Sequence, residues 1–181
     1  MKNIILGVTG SIAAYKAADI SNILTKHGYN VEVIMTKSAA EFVTPLTFQS
    51  LTKNKVYTNM FEEITPSVIK HISLAKKADL CLIAPASANI IGKLANGIAD
   101  DMLSTVVMAM NNVPVYICPA MNTNMYINPI VQKNITFLAE CGYRFIEPKE
   151  DVLACGDIGK GALADVDTII GTVEEYLNGK K

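Results

Sequence analysis

Residues 4–11 read Ile4-Ile5-Leu6-Gly7-Val8-Thr9-Gly10-Ser11. The first five form a run without polar alternation, the mark of a strand covered on both faces, as in a parallel sheet. Thr9-Gly10-Ser11 ends that strand. Helical spacing follows at Ile12, Tyr15, Ala18, Ile23 and Leu24 and stops at Gly28. A second apolar strand, Val31 to Met35, ends at Thr36 and completes a β-α-β unit with an expected right-handed crossover. The pattern recurs downstream. Leu80 to Ala84 runs into Pro85-Ala86-Ser87-Ala88-Asn89, and Val113 to Cys118 runs into Pro119-Ala120-Met121-Asn122.

Helices are expected over 68–77, over 90–95 with Gly97 as the stop, and from Asp100-Asp101 to Met110. Asn128-Pro129 reads as an N-cap and first helical residue opening a helix to Cys141. The last helix is expected over 166–177. Short helical pieces flank Pro45, and short strands are expected near Val56 and over 143–146. Residues 147–163 read as a loop. Strand and helix alternate throughout. The fold class is therefore α/β, a single domain over 1–181 with a doubly wound parallel sheet, Rossmann-like with flavodoxin-type layers.

Composition narrows the function. Of 181 residues, 50% are apolar and 18% charged, enough to build a core and to exclude a disordered chain. Sixteen basic residues face 17 acidic ones, and no Lys/Arg run exceeds two, so no nucleic acid or anionic membrane partner is expected. The four cysteines form no CxxC pair and there are two histidines, so no metal is expected. Cys81 and Cys118 lie in apolar runs and read as buried free thiols, which suits a reducing cytoplasm. The N-terminal apolar run is too short for a signal peptide, and no run approaches the ~20 residues that span a bilayer. A mean hydropathy of +0.28 reads either as a large core or as buried subunit interfaces, and the second is favoured because a domain of this size has little interior to hide that much apolar material.

In a doubly wound sheet the ligand lies beyond the carboxyl ends of the strands. Here those ends are Thr9-Gly10-Ser11, Thr36-Lys37-Ser38, Pro85–Asn89 and Pro119–Asn122, all rich in small polar residues. Backbone N–H groups after Gly10-Ser11 suit an anion. The turn lacks GxGxxG and a Walker lysine, and it reads equally as a plain serine cap. Thr36, Ser38 and Ser87 at neighbouring ends favour a mononucleotide phosphate, hence FMN rather than NAD. His71 lies at the edge of a stripe formed by Val68, Ile72 and Ala75, and by itself reads as a solvated or core histidine. His27, beside Gly28, complements a helix dipole. The segment Pro119 to Tyr126 holds two methionines and two asparagines. It is either a loop with gap-filling methionines or a substrate wall in which Asn122 donates to a carboxylate. Cys155, in Ala154-Cys155-Gly156-Asp157-Ile158-Gly159-Lys160-Gly161, reads as a chance surface cysteine or as a thiol on a mobile flap, with Lys160 favouring the thiolate.

These segments, in this order and spacing, resemble the homo-oligomeric flavin-containing cysteine decarboxylases over essentially the whole chain. Tyr126 stands where that family usually has Trp, so an aromatic wall is kept. The resemblance implies noncovalent FMN and a small substrate, 4'-phosphopantothenoylcysteine, converted to 4'-phosphopantetheine in coenzyme A biosynthesis. It implies hydride removal from the carbon bearing the thiol, giving a thioaldehyde, then carbon dioxide loss and re-reduction of the enethiolate. It assigns catalytic roles to His71, Asn122 and Cys155. It assigns flavin contacts to Gly10, Ser11, Thr36, Ser38, Ser87, Asn89 and Ser104, and substrate contacts to Asn122, Met125, Ala154 and Lys160. It further implies a homotrimer or dodecamer with the flavin at a subunit contact, where His71 acts either within its own subunit or across an interface. A separate ligase joining cysteine to phosphopantothenate is expected, since this chain ends at Lys181. Three rivals share the fold: a peptidyl-cysteine decarboxylase, a flavin prenyltransferase, and a non-catalytic phosphatase-inhibiting subunit. The last carries an acidic tail, unlike Asn178-Gly179-Lys180-Lys181.

Overall fold

Burial on both faces puts the first apolar run at the centre of a sheet. The computed structural model describes residues 1–61, 69–152, 156 and 158–179. The strands of the main sheet are β1 (Asn3–Val8), β2 (Asn30–Met35), β3 (Val56–Tyr57), β4 (Leu80–Ala86), β5 (Val115–Pro119) and β6 (Arg144–Phe145). Their order is β3-β2-β1-β4-β5-β6 and every pairing is parallel. This is the Rossmann order, and the doubly wound expectation holds.

The helices are α1 (Ala14–Lys26), α2 (Lys37–Ala40), α3 (Pro45–Thr52), α4 (Lys70–Lys77), α5 (Ala88–Ala95), α6 (Met102–Met108), α7 (Thr123–Tyr126), α8 (Pro129–Glu140) and α9 (Val166–Gly179). Side chains alternate across a strand, so β1 feeds two cores. Ile4, Leu6 and Val8 pack with Ile20 and Leu24 of α1, Phe48 of α3 and Val173 of α9. Ile5 packs on the other face with Leu74 of α4, Ile90 of α5 and Val106 of α6. Each such fully buried aliphatic side chain contributes about 1.5–3 kcal/mol. Gly7 belongs to the second face, where a Cβ would lie 2.6 Å from Leu103 Cδ1. Its lack of a side chain lets α6 settle directly on β1.

Local signals set the helix ends. Asn128 caps α8 by accepting from the Ile130 N–H at 2.9 Å, with Pro129 in the first turn. Gly28 follows α1 with φ +89°, a conformation that favours glycine. Asp101 caps α6, as acidic residues at that helix start suggested. Two expected boundaries shift. Residues 11–13 form a turn before α1, closed by the Ala14 N–H on the Ser11 carbonyl at 2.9 Å. The strand expected from Val113 begins at Val115. Val68, the expected start of α4, lies outside the described residues.

The loop expected over 147–163 is in fact paired. β7 (Lys149–Val152) and β8 (Ile158–Ala162) form a two-stranded antiparallel ribbon apart from the main sheet. Its sequence is polar and glycine-rich, so it lacks the alternation that marks a strand with one buried face. Cross-strand backbone bonds and contacts with α7 hold it instead. Among the described residues no helix is long and apolar enough to cross a membrane.

Candidate active site

A cavity of about 610 Å³ opens beyond the carboxyl ends of β1, β4 and β5. Its size suits a cofactor or a small substrate. It lies where the strand order reverses, between β1 and β4, the usual ligand crevice of this fold. Its floor is the turn into α1, with Gly10 and Ser11. The Ser11 hydroxyl accepts from the Ala13 N–H at 3.3 Å. A Cβ on Gly10 would lie 2.5 Å from Ser38 Cβ, so the turn passes α2 with no side chain between them. Thr9, buried beneath the floor, donates to the Pro85 carbonyl at 2.7 Å and receives the Ser87 N–H at 2.9 Å. Ser87 itself caps α5.

The opposite wall comes from the end of β5. Asn122 caps α7, its Oδ1 accepting from the Asn124 N–H at 2.9 Å, which fixes the orientation of the amide. Met121, Asn122 and Met125 line the cavity from this side, and Asp151 and Gly161 line it from the ribbon. Gly161 accepts from the Met121 N–H at 2.9 Å. A Cβ there would stand 2.3 Å from the Met121 carbonyl oxygen, so only glycine permits this approach. Lys16 brings a basic side chain to the lining, while Ile12, Tyr15 and Phe42 leave large apolar surfaces exposed around it.

Behind the wall Tyr126 is buried and donates its hydroxyl to Glu147 Oε2 at 2.9 Å. Lys160 Nζ donates to the same oxygen at 2.7 Å. Burial first, then the Glu147 carboxylate, pushes the Tyr126 phenol up to about 12. The hydrogen bond from Lys160 holds the Glu147 carboxyl below the usual carboxylate range.

Five of the expected site residues meet at the cavity: Gly10, Ser11, Ser87, Asn122 and Met125. Thr36 caps α2, accepting from the Ala39 N–H at 3.3 Å, and Ser38 backs Gly10. Asn89 is exposed in the first turn of α5. Ser104 is fully buried in the capping box of α6, with its hydroxyl 3.0 Å from Asp101 Oδ1. Lys160 directs its ammonium to Glu147. His71 lies in the first turn of α4, half-buried, and is not among the residues lining the cavity. Cys155 and Ala154 lie outside the described residues. Tyr15, Lys16, Phe42 and Asp151 line the cavity without having been singled out. Lys16 follows the Gly10-Ser11 turn closely enough to have been found by extending that motif one helical turn. Phe42 and Asp151 carry no such local signal.

The family described as Flavoprotein matches residues 1–178. The chain belongs to the flavoprotein family. This flavoprotein is 58% identical over 177 residues to a probable phosphopantothenoylcysteine decarboxylase of Streptococcus mutans, covering 97% of this chain and 99% of that one. It is 53% identical to the coenzyme A biosynthesis bifunctional protein CoaBC of Bacillus subtilis, but spans only 43% of that relative's length. Among solved structures, the flavoprotein superposes with a TM-score of 0.91 on a cysteine-to-serine variant of PPC decarboxylase complexed with pantothenoylaminoethenethiol. That match has 32% identity over 98% of each chain. The FMN binding protein AtHal3 superposes with a TM-score of 0.89 at 32% identity, covering 99% of this flavoprotein and 98% of that chain.

Proposed function

We propose that residues 1–181 act as one FMN-dependent catalytic domain that decarboxylates 4'-phosphopantothenoylcysteine to 4'-phosphopantetheine. The observation that carries this reading is a single cavity with a phosphate-type turn, Gly10-Ser11, on one side and the oriented amide of Asn122 on the other. The residues present fit a flavin mononucleotide. The side-chain-free Gly10 and the hydroxyls of Ser11 and Ser87 suit a phosphate, and Ile12, Ala13 and Met121 offer apolar surface to a ring system.

Bound FMN supplies a reversible hydride acceptor, which gives the substrate an electron sink next to its carboxylate. The chain supplies the rest. The cap bond on Asn122 Oδ1 turns Nδ2 into the donor end, suited to hold the substrate carboxylate. Lys16 offers a cation to the substrate phosphate. His71 takes or orients the proton of the substrate thiol. It is not among the residues that line the cavity of its own chain, which supports a role in the site of a neighbouring subunit in a trimer or dodecamer. The exposed Ile12, Tyr15 and Phe42 beside the cavity support such a contact, since a second copy would cover them. Cys155 donates the last proton, a task that suits a thiol better than an alcohol. The upstream reaction must be a ligation that forms the amide between cysteine and phosphopantothenate, and the buried Cys81 and Cys118 thiols fit a reducing cytoplasm.

The test is carbon dioxide release from phosphopantothenoylcysteine and from a peptide ending in cysteine, with cofactor released by heat and chromatographed. The expected result is FMN and turnover of the small substrate. His71→Asn and Asn122→Asp should abolish turnover while retaining flavin, because Asp caps a helix as well as Asn does. Recovery of FAD, preference for the peptide, or near-normal turnover in either variant overturns the reading.

A further inference from the structure

The seam between β8 and α7 forms one edge of the cavity, with Gly161 on the ribbon side and Met121, Asn122 and Met125 on the other. Two glycines bring the elements into contact. A Cβ on Gly159 would lie 2.6 Å from Thr123 Oγ1, and Gly161 already bonds Met121 through the backbone. Such a contact is close but weak in itself, since it buries little apolar surface. What fastens it is one carboxylate oxygen. Glu147 Oε2 receives both the Tyr126 hydroxyl from α7 and the Lys160 ammonium from β8. The ammonium also lies 5.6 Å from the centre of the Tyr126 ring, within cation–π range. Tyr126 is anchored from behind by Gln132 Nε2, which donates to its carbonyl oxygen at 2.5 Å. The other ribbon cation, Lys149, pairs with Asp151 and Asp165 at 3.0 and 2.8 Å, which ties β7 towards the start of α9 and not to α7.

We propose that Glu147 is a positioning residue: by clasping Lys160 to Tyr126 it holds β8 against α7 and sets the width of the substrate end of the cavity. Glu147 and Lys160 keep substantial solvent exposure, so exchanging them leaves the core intact. A surface pair alone is weak. This one gains from sharing its acceptor with a buried hydroxyl already fixed in place, so little side-chain freedom remains to be lost.

The experiment uses the full chain, FMN-loaded, with Glu147→Gln, Lys160→Met and the two substitutions combined. Glu147→Gln keeps an acceptor for Tyr126 and removes only the charge. Two quantities are read: hydrogen exchange of the Met121 amide, with the Ile83 amide in the central sheet as control, and KM against kcat for phosphopantothenoylcysteine. The exchange arm is independent of the proposed function; the kinetic arm rests on it. Each single variant should speed Met121 exchange by about fivefold with Ile83 exchange unchanged, and Glu147→Gln should also raise KM by about fivefold with kcat unchanged. The combined variant should exchange Met121 no more than about twofold faster than either single one, because both substitutions remove the same contact. Unaltered Met121 exchange in both single variants, or effects that multiply in the combined variant, overturns the clasp. If the unsubstituted chain releases no carbon dioxide, the functional reading falls and the exchange data alone judge the clasp.

Discussion

The backbone N–H of Ser87 donates to the hydroxyl of Thr9 at 2.9 Å, joining two residues 78 positions apart in the chain. Thr9 in turn donates to the Pro85 carbonyl at 2.7 Å. One buried side chain thereby satisfies two backbone groups at the C-terminal end of β4, those of Pro85 and Ser87, and ties that end to the end of β1. The ligand crevice of a doubly wound sheet opens between these two strand ends, so the bridge fixes the distance across the cavity floor.

Replacing Thr9 by Val keeps the shape but leaves the Ser87 N–H and the Pro85 carbonyl without a partner. Each unsatisfied buried group costs about 1–3 kcal/mol. Thr9→Val should lower unfolding stability by about 2 kcal/mol or more and weaken flavin binding, while Thr9→Ser should retain both. Urea denaturation and flavin titration read the two effects. Equal behaviour of the Val and Ser variants would show that the bridge is dispensable.

Gly10→Ala should disturb the same floor for a steric reason. The added Cβ would come within 2.5 Å of Ser38 Cβ and 3.3 Å of the Ser38 carbonyl carbon. Overpacking of this kind costs about 1–3 kcal/mol. Flavin affinity should fall, and Ser38→Gly placed on top of Gly10→Ala should recover part of it. A double variant no better than Gly10→Ala contradicts the Gly10–Ser38 contact as the cause.

Acid should weaken α6. Burial opposes ionisation of Asp101, but hydrogen bonds from Lys93 and from the backbone and hydroxyl of Ser104 outweigh it and hold the carboxyl below its ordinary value. A carboxyl depressed by folding adds stability above its unfolded pKa of ~3.9, and that addition is lost as pH falls through the folded value. Asp101→Ala should therefore cost about 1–2 kcal/mol near neutrality, through lost cap and lost pairing, and less at acid pH. Asp101→Asn, which still caps, should mainly flatten the acid limb. Denaturation curves across pH give the answer, and a pH-independent cost for the Ala variant would refute the linkage.

The thiols should separate by burial. Cys81 is enclosed and its thiol is pushed up to about 12; Cys118 is raised likewise by burial, while Cys141 is exposed. Since the thiolate is the reactive form, a thiol reagent at mildly alkaline pH should modify Cys141 in the folded chain. Cys81 and Cys118 should react only on unfolding. Peptide mapping by mass checks this, and modification of Cys81 or Cys118 in the folded protein would contradict their enclosure.

Legibility in the sequence followed the source of each element's stability. Ile4 to Val8 stood out because both faces of that strand are covered, which leaves no polar alternation. Asn128-Pro129 stood out because capping chemistry is local. The ribbon did not, since Lys149-Glu150-Asp151 and Gly159-Lys160-Gly161 draw on cross-strand bonds and close glycine contacts rather than on an apolar face. Glu32 was equally hidden. Nothing in Val31-Glu32-Val33 marks a paired charge, yet Glu32 is only 6% exposed and pairs with Lys77 at the end of α4.

Residue order alone was enough to decide the strands of the main sheet and the longer helices, and that small polar residues gather at the strand ends. Those properties depend on spacing within one segment, where periodic burial leaves a periodic pattern. Only the folded chain decided that β1 lies beside β4, so that Ser87 reaches Thr9, and that Tyr126, Glu147 and Lys160 share one oxygen. Such contacts join residues from separate elements through geometry. Their free energy comes from desolvation and hydrogen-bond partners that exist only once the sheet is assembled, and no spacing along the chain encodes them.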